Sequence, residues 1–142
     1  MPRLSLLNMA IGFFVVFLSS CLGVINSFEL TSAFLNDPKA LGSWLMTLSN
    51  SAHGHTALFG VVQILFGLSL SYSRHRAKIK QIQTLCMSLA PIGMGPLLMI
   101  RGQAGPSPST DFLGIVIGIC MASSTLAILS HAFGLLLKLK ER

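Results

Sequence analysis

The stretch FLGIVIGICMASSTLAILSHAFGLLL, residues 112–137, decides the fold class because it contains no Asp, Glu, Lys or Arg. A helix that crosses a bilayer needs roughly 20 predominantly apolar residues, and this stretch is longer. Three other stretches have the same character, so the sequence predicts four spans, at about residues 4–27, 51–73, 79–100 and 112–137. We therefore expect an all-α integral membrane four-helix bundle, forming a single domain over residues 1–142.

The composition excludes most other classes of protein. Hydrophobic residues make up 52% of the chain and charged residues only 10%, whereas soluble domains carry about 25% charged residues. This rules out an ordinary soluble domain, a disordered chain and a nucleic-acid-binding protein. The three cysteines lie in apolar stretches and have no zinc-site spacing. We find no phosphate loop, no paired carboxylates and no Ser-His-Asp order that would support hydrolysis.

The basic residues predict the orientation. Eight of the ten lie on one side of the predicted spans: Arg3, Arg74, Arg76, Lys78, Lys80, Lys138, Lys140 and Arg142. By the positive-inside rule, both termini are cytoplasmic, as in a multi-pass protein of a bacterial-type inner membrane. Phosphate or lipid binding by residues 74–80 remains an alternative. A lipoprotein-like cleavage before Cys21, which would leave three spans, is another.

Two segments predict local irregularities. Between the first two spans, apolar residues recur at helical spacing after Asp37-Pro38, namely Leu41, Trp44, Leu45 and Leu48. We expect a short helix there, lying at the outer surface and leading into the second span. In the third span, Pro91, Gly93, Gly95 and Pro96 are expected to interrupt the helix.

The stretch SAHGHTALFG, residues 51–60, contains two histidines at the outer end of the second span. At about 100° per residue, His53, Ala57 and Gly60 share one helix face. Small residues on such a face allow another helix, or a flat cofactor, to approach the backbone closely. His55 lies nearly opposite, with Phe59, so the two histidines are expected to serve different sites. A structural alternative for His53 is a hydrogen bond to a neighbouring helix or to water.

Other polar residues are expected to have structural roles. His131, in the inner half of the fourth span, is predicted to be a hydrogen-bond partner, and Gln63 to connect helices. His75 is expected to be solvated among the basic residues of the inner loop. Met94 and Met99 are more typical of core packing than of a ligand pair.

Several of these positions together resemble the styrene oxide isomerase family. They are the Ala52-His53-Gly54 step, Gly60 seven residues after His53, Gly23-Val24 followed by Phe28-Glu29, and the Asp111-Phe112 start of the fourth span. The resemblance implies a small homotrimeric membrane enzyme carrying haem b. In that family ferric iron acts as a Lewis acid on an epoxide, the ring opens, a hydride shifts and an aldehyde leaves without net redox change.

The resemblance also implies roles for individual residues. His53 would be the iron ligand, Ala57 and Gly60 would contact the cofactor, and a neighbouring subunit would complete the pocket for a small apolar substrate. Phe59 occupies the position of a family asparagine, and the family tyrosine of the third span has no counterpart, Tyr72 being the only tyrosine. His55 and Phe59 are therefore the candidate catalytic positions. Two alternatives remain open: a non-enzymatic membrane haem protein, for electron transfer, gas sensing or haem handling, and a cofactor-free four-span subunit.

Overall fold

The structure is a computed structural model that describes residues 3–37, 39, 42–106, 108 and 110–140. Four helices make up nearly all of it. They are α1 (Arg3–Asn36), α2 (Trp44–Ser69), α3 (Ala77–Gln103) and α4 (Phe112–Leu139). No strand occurs in these residues, so the predicted all-α class is confirmed for them.

Three of the helices, α1, α3 and α4, are long and apolar enough to cross a membrane. Their mean hydropathies are 2.1, 1.4 and 2.3 over their most apolar parts. The second helix has 26 residues but does not reach the same hydropathy, because His53, His55 and Gln63 interrupt its apolar sequence. The structure therefore supports three of the four predicted spans on helix length and composition.

A stripe of small and polar residues joins α1 to α2. On α1 these residues recur every seven positions and are buried: Ser5, Gly12, Ser19 and Asn26. A Cβ added to Gly12 would lie only 2.6 Å from the carbonyl oxygen of Gly60, so the two backbones are in contact there. Asn26 hydrogen-bonds Ser49 at one end of the seam, and Gly67 lies against Ser5 at the other. The two helices are therefore antiparallel and closely packed over most of their length.

A buried polar network ties α1 and α2 to α3. Gln63 Nε2 donates to Asn8 Oδ1 at 2.6 Å and to Ser88 Oγ at 3.3 Å. Asn8 Nδ2 in turn donates to Thr84 Oγ1 at 2.8 Å. Asn8 and Gln63 are fully buried. The prediction that Gln63 connects helices is confirmed.

The third and fourth helices pack against each other through small groups. Ser124 Oγ donates to the carbonyl oxygen of Cys86 at 2.8 Å, and a Cβ on Gly93 would lie 2.8 Å from Cys120 Cβ. At the end of the fold that holds the α2–α3 connection, the amide of Arg74 donates to Gly134 O at 3.1 Å. This bond brings that connection to the C-terminal part of α4.

The predicted interruption of the third span takes the form of a widened helix. Residues Gly93–Leu97 form a π-helical segment between Ala77–Ile92 and Leu98–Gln103. Neither Pro91 nor Pro96 has an amide hydrogen to donate, and a local change to π-helical bonding accommodates such a site without ending the helix.

The short surface helix predicted to lead into the second span is continuous with α2 at Trp44, Leu45 and Leu48. Ser43 caps α2, its hydroxyl accepting from the amide of Met46, and the helix then continues from Trp44 without a break. Nothing in the sequence from Trp44 to His53 ends a helix, so the predicted surface segment forms the first turns of α2. Pro38 and Leu41, which also belonged to that prediction, lie outside the described residues.

Candidate functional site

His53 is held in a reciprocal pair of hydrogen bonds with Ser19 of α1. Its Nδ1 lies 2.8 Å from the carbonyl oxygen of Ser19, and the Ser19 hydroxyl donates to the carbonyl oxygen of His53 at 2.8 Å. The same hydroxyl oxygen is 3.1 Å from Nδ1. Ser19 is completely buried in the α1–α2 seam. The ring orientation is therefore fixed by Ser19, through its carbonyl oxygen and its hydroxyl.

This geometry determines which ring nitrogen of His53 carries the proton. A carbonyl oxygen only accepts hydrogen bonds, so Nδ1 must be the donor to Ser19. In the neutral ring, Nε2 then has a lone pair, and no described residue hydrogen-bonds to it. Histidines that ligate metals commonly have this arrangement, with one nitrogen donating to a backbone carbonyl and the other on the metal.

Gly23 provides the space for the His53 ring. A Cβ at this position would lie 2.5 Å from Cε1 and 3.0 Å from Nε2, closer than packed atoms approach. The ring therefore lies directly against the α1 backbone, and it is half-buried. The sequence analysis did not connect Ser19 or Gly23 with the ring. The only feature of the sequence that indicates a role for Ser19 in the seam is its seven-residue spacing from Gly12 and Asn26.

The small-residue face of α2 is occupied by α1. A Cβ on Gly60 would lie 2.7 Å from Val16 Cγ2 and 3.0 Å from Gly12 O. Of the two partners expected for this face, a helix or a flat cofactor, the helix is present at Gly60. Among the described residues, Gly60 is buried against α1, so the expected cofactor contact at Gly60 stays a prediction. Ala57 is half-buried, as is His53. It lies one turn after His53 on the same face of α2.

His55 lies apart from His53 and is exposed. Its Nδ1 is 2.9 Å from the carbonyl oxygen of Ser51, one turn earlier in the same helix. The ring borders a shallow surface pocket with Asn50, Gly54 and Leu58. Its hydrogen bonds are confined to α2, whereas those of His53 reach α1. The structure therefore does not bring the two histidines around one ion, and half-buried Phe59 has no hydrogen-bonding group to offer.

The other two histidines lie at the opposite end of the fold. His131 Nε2 is 2.9 Å from Ser69 Oγ and the ring lies on Phe66, with centroids 4.6 Å apart, so its predicted role as a hydrogen-bond partner is confirmed. His75 Nε2 is 2.7 Å from the carbonyl oxygen of Ser130. The expectation of a solvated His75 is wrong, because the half-buried ring is bonded to α4.

Within the part of the chain that the structure describes, no three His, Cys, Asp or Glu side chains come together as a metal site. A haem iron differs from such a site, because the porphyrin supplies four ligands and the protein needs only one or two axial ones. Comparison with protein-family models, curated proteins and solved structures found no match to this chain. The interpretation of the site therefore rests on its own geometry.

Proposed function

We propose that this protein is a membrane haem b protein in which His53 is the axial iron ligand. The single observation that carries the proposal is the hydrogen bond from His53 Nδ1 to the Ser19 carbonyl, 2.8 Å long. It holds the proton on Nδ1 and leaves Nε2 available. Gly23 supports the proposal by fixing the ring position, because it admits the ring directly against the α1 backbone.

A haem bound at His53 would lie on the exposed side of the α1–α2 seam. The contact between Gly12 and Gly60 leaves no room for a porphyrin between the two helices at that point. The porphyrin would therefore contact the exposed faces of α1 and α2. Three phenylalanines of α1, Phe13, Phe17 and Phe28, are each more than half exposed. In a homotrimer, a neighbouring copy would cover part of this apolar surface and complete the pocket.

We further propose an activity, the isomerisation of a small apolar epoxide to a carbonyl compound. When bound at His53, ferric haem supplies a Lewis acid for the epoxide oxygen, as in the family that the sequence resembles. The chain's own contribution is to fix the imidazole by the Ser19 carbonyl and to keep water out with apolar side chains. His55, whose Nδ1 is already bonded to Ser51, would present Nε2 to a site on the neighbouring copy.

The second helix crosses the membrane in this proposal, although its hydropathy is lower. Its contacts with α1 extend from Gly67 and Ser5 at one end to Ser49 and Asn26 at the other. A helix packed beside a membrane-spanning helix over that length crosses with it. With four spans, the basic α2–α3 connection and both termini lie together on the cytoplasmic side.

A visible absorption spectrum of the detergent-purified protein tests the haem proposal. We expect a red protein with a Soret band and expect His53→Ala to remove that band. His75→Ala, at the opposite end of the fold, is the control and should keep it. A colourless wild-type protein, after supplementation with haem during expression, would contradict the proposal and support a cofactor-free subunit.

Incubation with an aryl epoxide tests the activity separately. Aldehyde formation by the wild-type protein and its loss in His53→Ala would support isomerisation. A red protein without aldehyde formation would contradict it and favour a non-enzymatic haem protein. The observation that favours this second candidate is Phe59, which brings no polar group to the site. A low-spin spectrum that becomes high-spin in His55→Ala would then identify His55 of another copy as the sixth ligand.

A further inference from the structure

Basic residues collect at the end of the fold that holds the α2–α3 connection. The amide of Arg74 donates to Gly134 O and Gly67 lies against Ser5, so the start of α1, this connection and the end of α4 lie together. The described basic residues of these three segments are Arg3, Arg74, Arg76, Lys78, Lys80, Lys138 and Lys140. The three described acids lie at the opposite end, and the sequence adds only Glu141 here. This end therefore carries an excess of positive charge.

A groove of about 350 Å³ lies at this end, between the turn that follows α2 and the C-terminal part of α4. Ser71 and Tyr72 line it on the α2 side, and Leu135, Lys138 and Leu139 line it on the α4 side. Leu135 and Leu139 are one turn apart on the same face of α4, so this wall of the groove runs along the helix. Among the five lining residues only Lys138 is charged.

The groove lies where the apolar part of α4 ends. Residues 112–137 contain no Asp, Glu, Lys or Arg, and Lys138 is the first residue after them. When α4 crosses a membrane, the hydrocarbon therefore ends close to Lys138, and Leu135 lies on its apolar side. Tyr72 is 68% exposed, and tyrosine is enriched at this boundary because its ring is apolar and its hydroxyl reaches water. The groove thus has an apolar wall within reach of acyl chains and a cation at the depth of lipid phosphates.

We propose that this groove binds one anionic phospholipid, with its phosphate at Lys138 and the first part of an acyl chain along Leu135 and Leu139. Basic pockets between helices at the cytoplasmic side of a membrane bind anionic headgroups. The surrounding excess of positive charge favours such a lipid over a zwitterionic one, whose choline group it repels. A free phosphate would contact the lysine but leave the two leucines uncovered. The proposal depends neither on haem nor on whether α2 crosses the membrane.

Native mass spectrometry of the full-length protein in detergent, titrated with phosphatidylglycerol or phosphatidylcholine, tests this proposal. We expect one phosphatidylglycerol per chain to bind about tenfold more tightly than phosphatidylcholine, the effect of one hydrogen bond to a charged group. Lys138→Gln should reduce this preference about fivefold. Lys78→Gln is the matched control, because Lys78 is exposed at the same end but does not line the groove. It should change the preference by less than about twofold at physiological ionic strength, since salt screens charges that do not contact the headgroup.

A second pair of variants locates the lipid independently of charge. Ser71→Trp should fill the groove and remove the tightly bound lipid, whereas Thr125→Trp, at an exposed position of α4 outside the groove, should keep it. Equal affinity for the two lipids, equal losses in Lys138→Gln and Lys78→Gln, or retained binding in Ser71→Trp would each overturn the proposal. Displacement of the lipid by inorganic phosphate would also overturn it, because the site would then recognise phosphate and not a lipid. None of these readings requires a coloured protein, so they are separable from the haem test.

Discussion

At the scale of single residues, the geometry of His53 is set by what surrounds the ring. The carbonyl of Ser19 holds it on one side, and the absence of a side chain at Gly23 admits it on the other. Neither feature is a ligand itself, yet both determine where Nε2 points. Ring position is therefore more sensitive to the backbone of α1 than to most side-chain changes on α2.

Gly23→Ala tests this dependence. A methyl group placed 2.5 Å from Cε1 must displace the ring or push α1 away, and overpacking of this kind costs about 1–3 kcal/mol. We expect a lower melting temperature and a weaker Soret band for the purified protein. Gly54→Ala is the matched control, since a Cβ there meets nothing within 4 Å, and it should leave both readings near wild type. Equal behaviour of the two variants would contradict the role assigned to Gly23.

At the scale of helices, close packing and a buried polar network hold the fold together. In lipid the hydrophobic effect does not drive helices together, so association depends on van der Waals contact and hydrogen bonds. The seven-residue spacing along α1 keeps small groups facing α2 through several turns. Asn8 and Gln63 then connect that pair to α3.

Gly12→Val tests the packing of the seam. The valine side chain would clash with the Gly60 carbonyl oxygen, because an added Cβ at position 12 already lies 2.6 Å from it. This oxygen belongs to the backbone and cannot move aside as a flexible side chain could. We expect α1 and α2 to separate, with a loss of about 1–3 kcal/mol or more in the free energy of unfolding. Unfolding in increasing SDS is the measurement, and Gly118→Val, at an open position on α4, is the control. A cost no larger than that of Gly118→Val would refute the tight seam.

A double-mutant cycle on Asn8 and Gln63 tests the network. Gln63→Leu leaves Asn8 Oδ1 without its donor, and Asn8→Leu removes one of the two acceptors of Gln63 Nε2. We expect each to cost about 1 kcal/mol and the double variant to cost less than the sum, because it leaves fewer unpaired groups. Strict additivity in the same SDS titration would show that the two amides do not interact.

At the scale of the whole molecule, polar contacts distinguish the two ends of the fold. At one end, Arg101 pairs with Asp111 at 3.4 Å and lies over the Trp44 ring at 5.6 Å. The other end holds the basic α2–α3 connection, bonded to α4 through Arg74. An asymmetry of basic residues between the two ends is what orients a membrane protein by the positive-inside rule.

Cysteine labelling tests the number of spans. In a variant lacking Cys21, Cys86 and Cys120, we introduce Gly42→Cys before α2 or Tyr72→Cys after it, both at exposed positions. If α2 crosses, a membrane-impermeant maleimide should label residue 42 in right-side-out vesicles and residue 72 only in inverted ones. Labelling of both from the same side would show that α2 does not cross.

The sequence predicted the helices well but not how they meet. Long apolar runs determine where the helices lie, because lipid leaves the backbone no other way to pair its polar groups. The partner of His53 could not be predicted, since periodicity identifies the face of a helix but not the neighbour it contacts. For the same reason the small face of α2 was compatible with either a helix or a cofactor. The start of α2 was not predicted, because Asp37-Pro38 resembled a helix start, whereas Ser43 provides the cap.

The hydrogen bond between His53 Nδ1 and the Ser19 carbonyl has a consequence for genetic screens. Every amino acid has this carbonyl, but Ser19 is completely buried in the α1–α2 seam, so only small residues fit there. Among these, Ser19→Ala and Ser19→Gly lose the hydroxyl and keep the carbonyl that accepts from Nδ1. Substitutions at position 19 would therefore not show the dependence of the imidazole tautomer on this carbonyl. The dependence would emerge instead from substitutions at Gly23. It would also emerge if the amide bond between residues 19 and 20 were replaced by an ester, because the Ser19 carbonyl would then be a weaker acceptor.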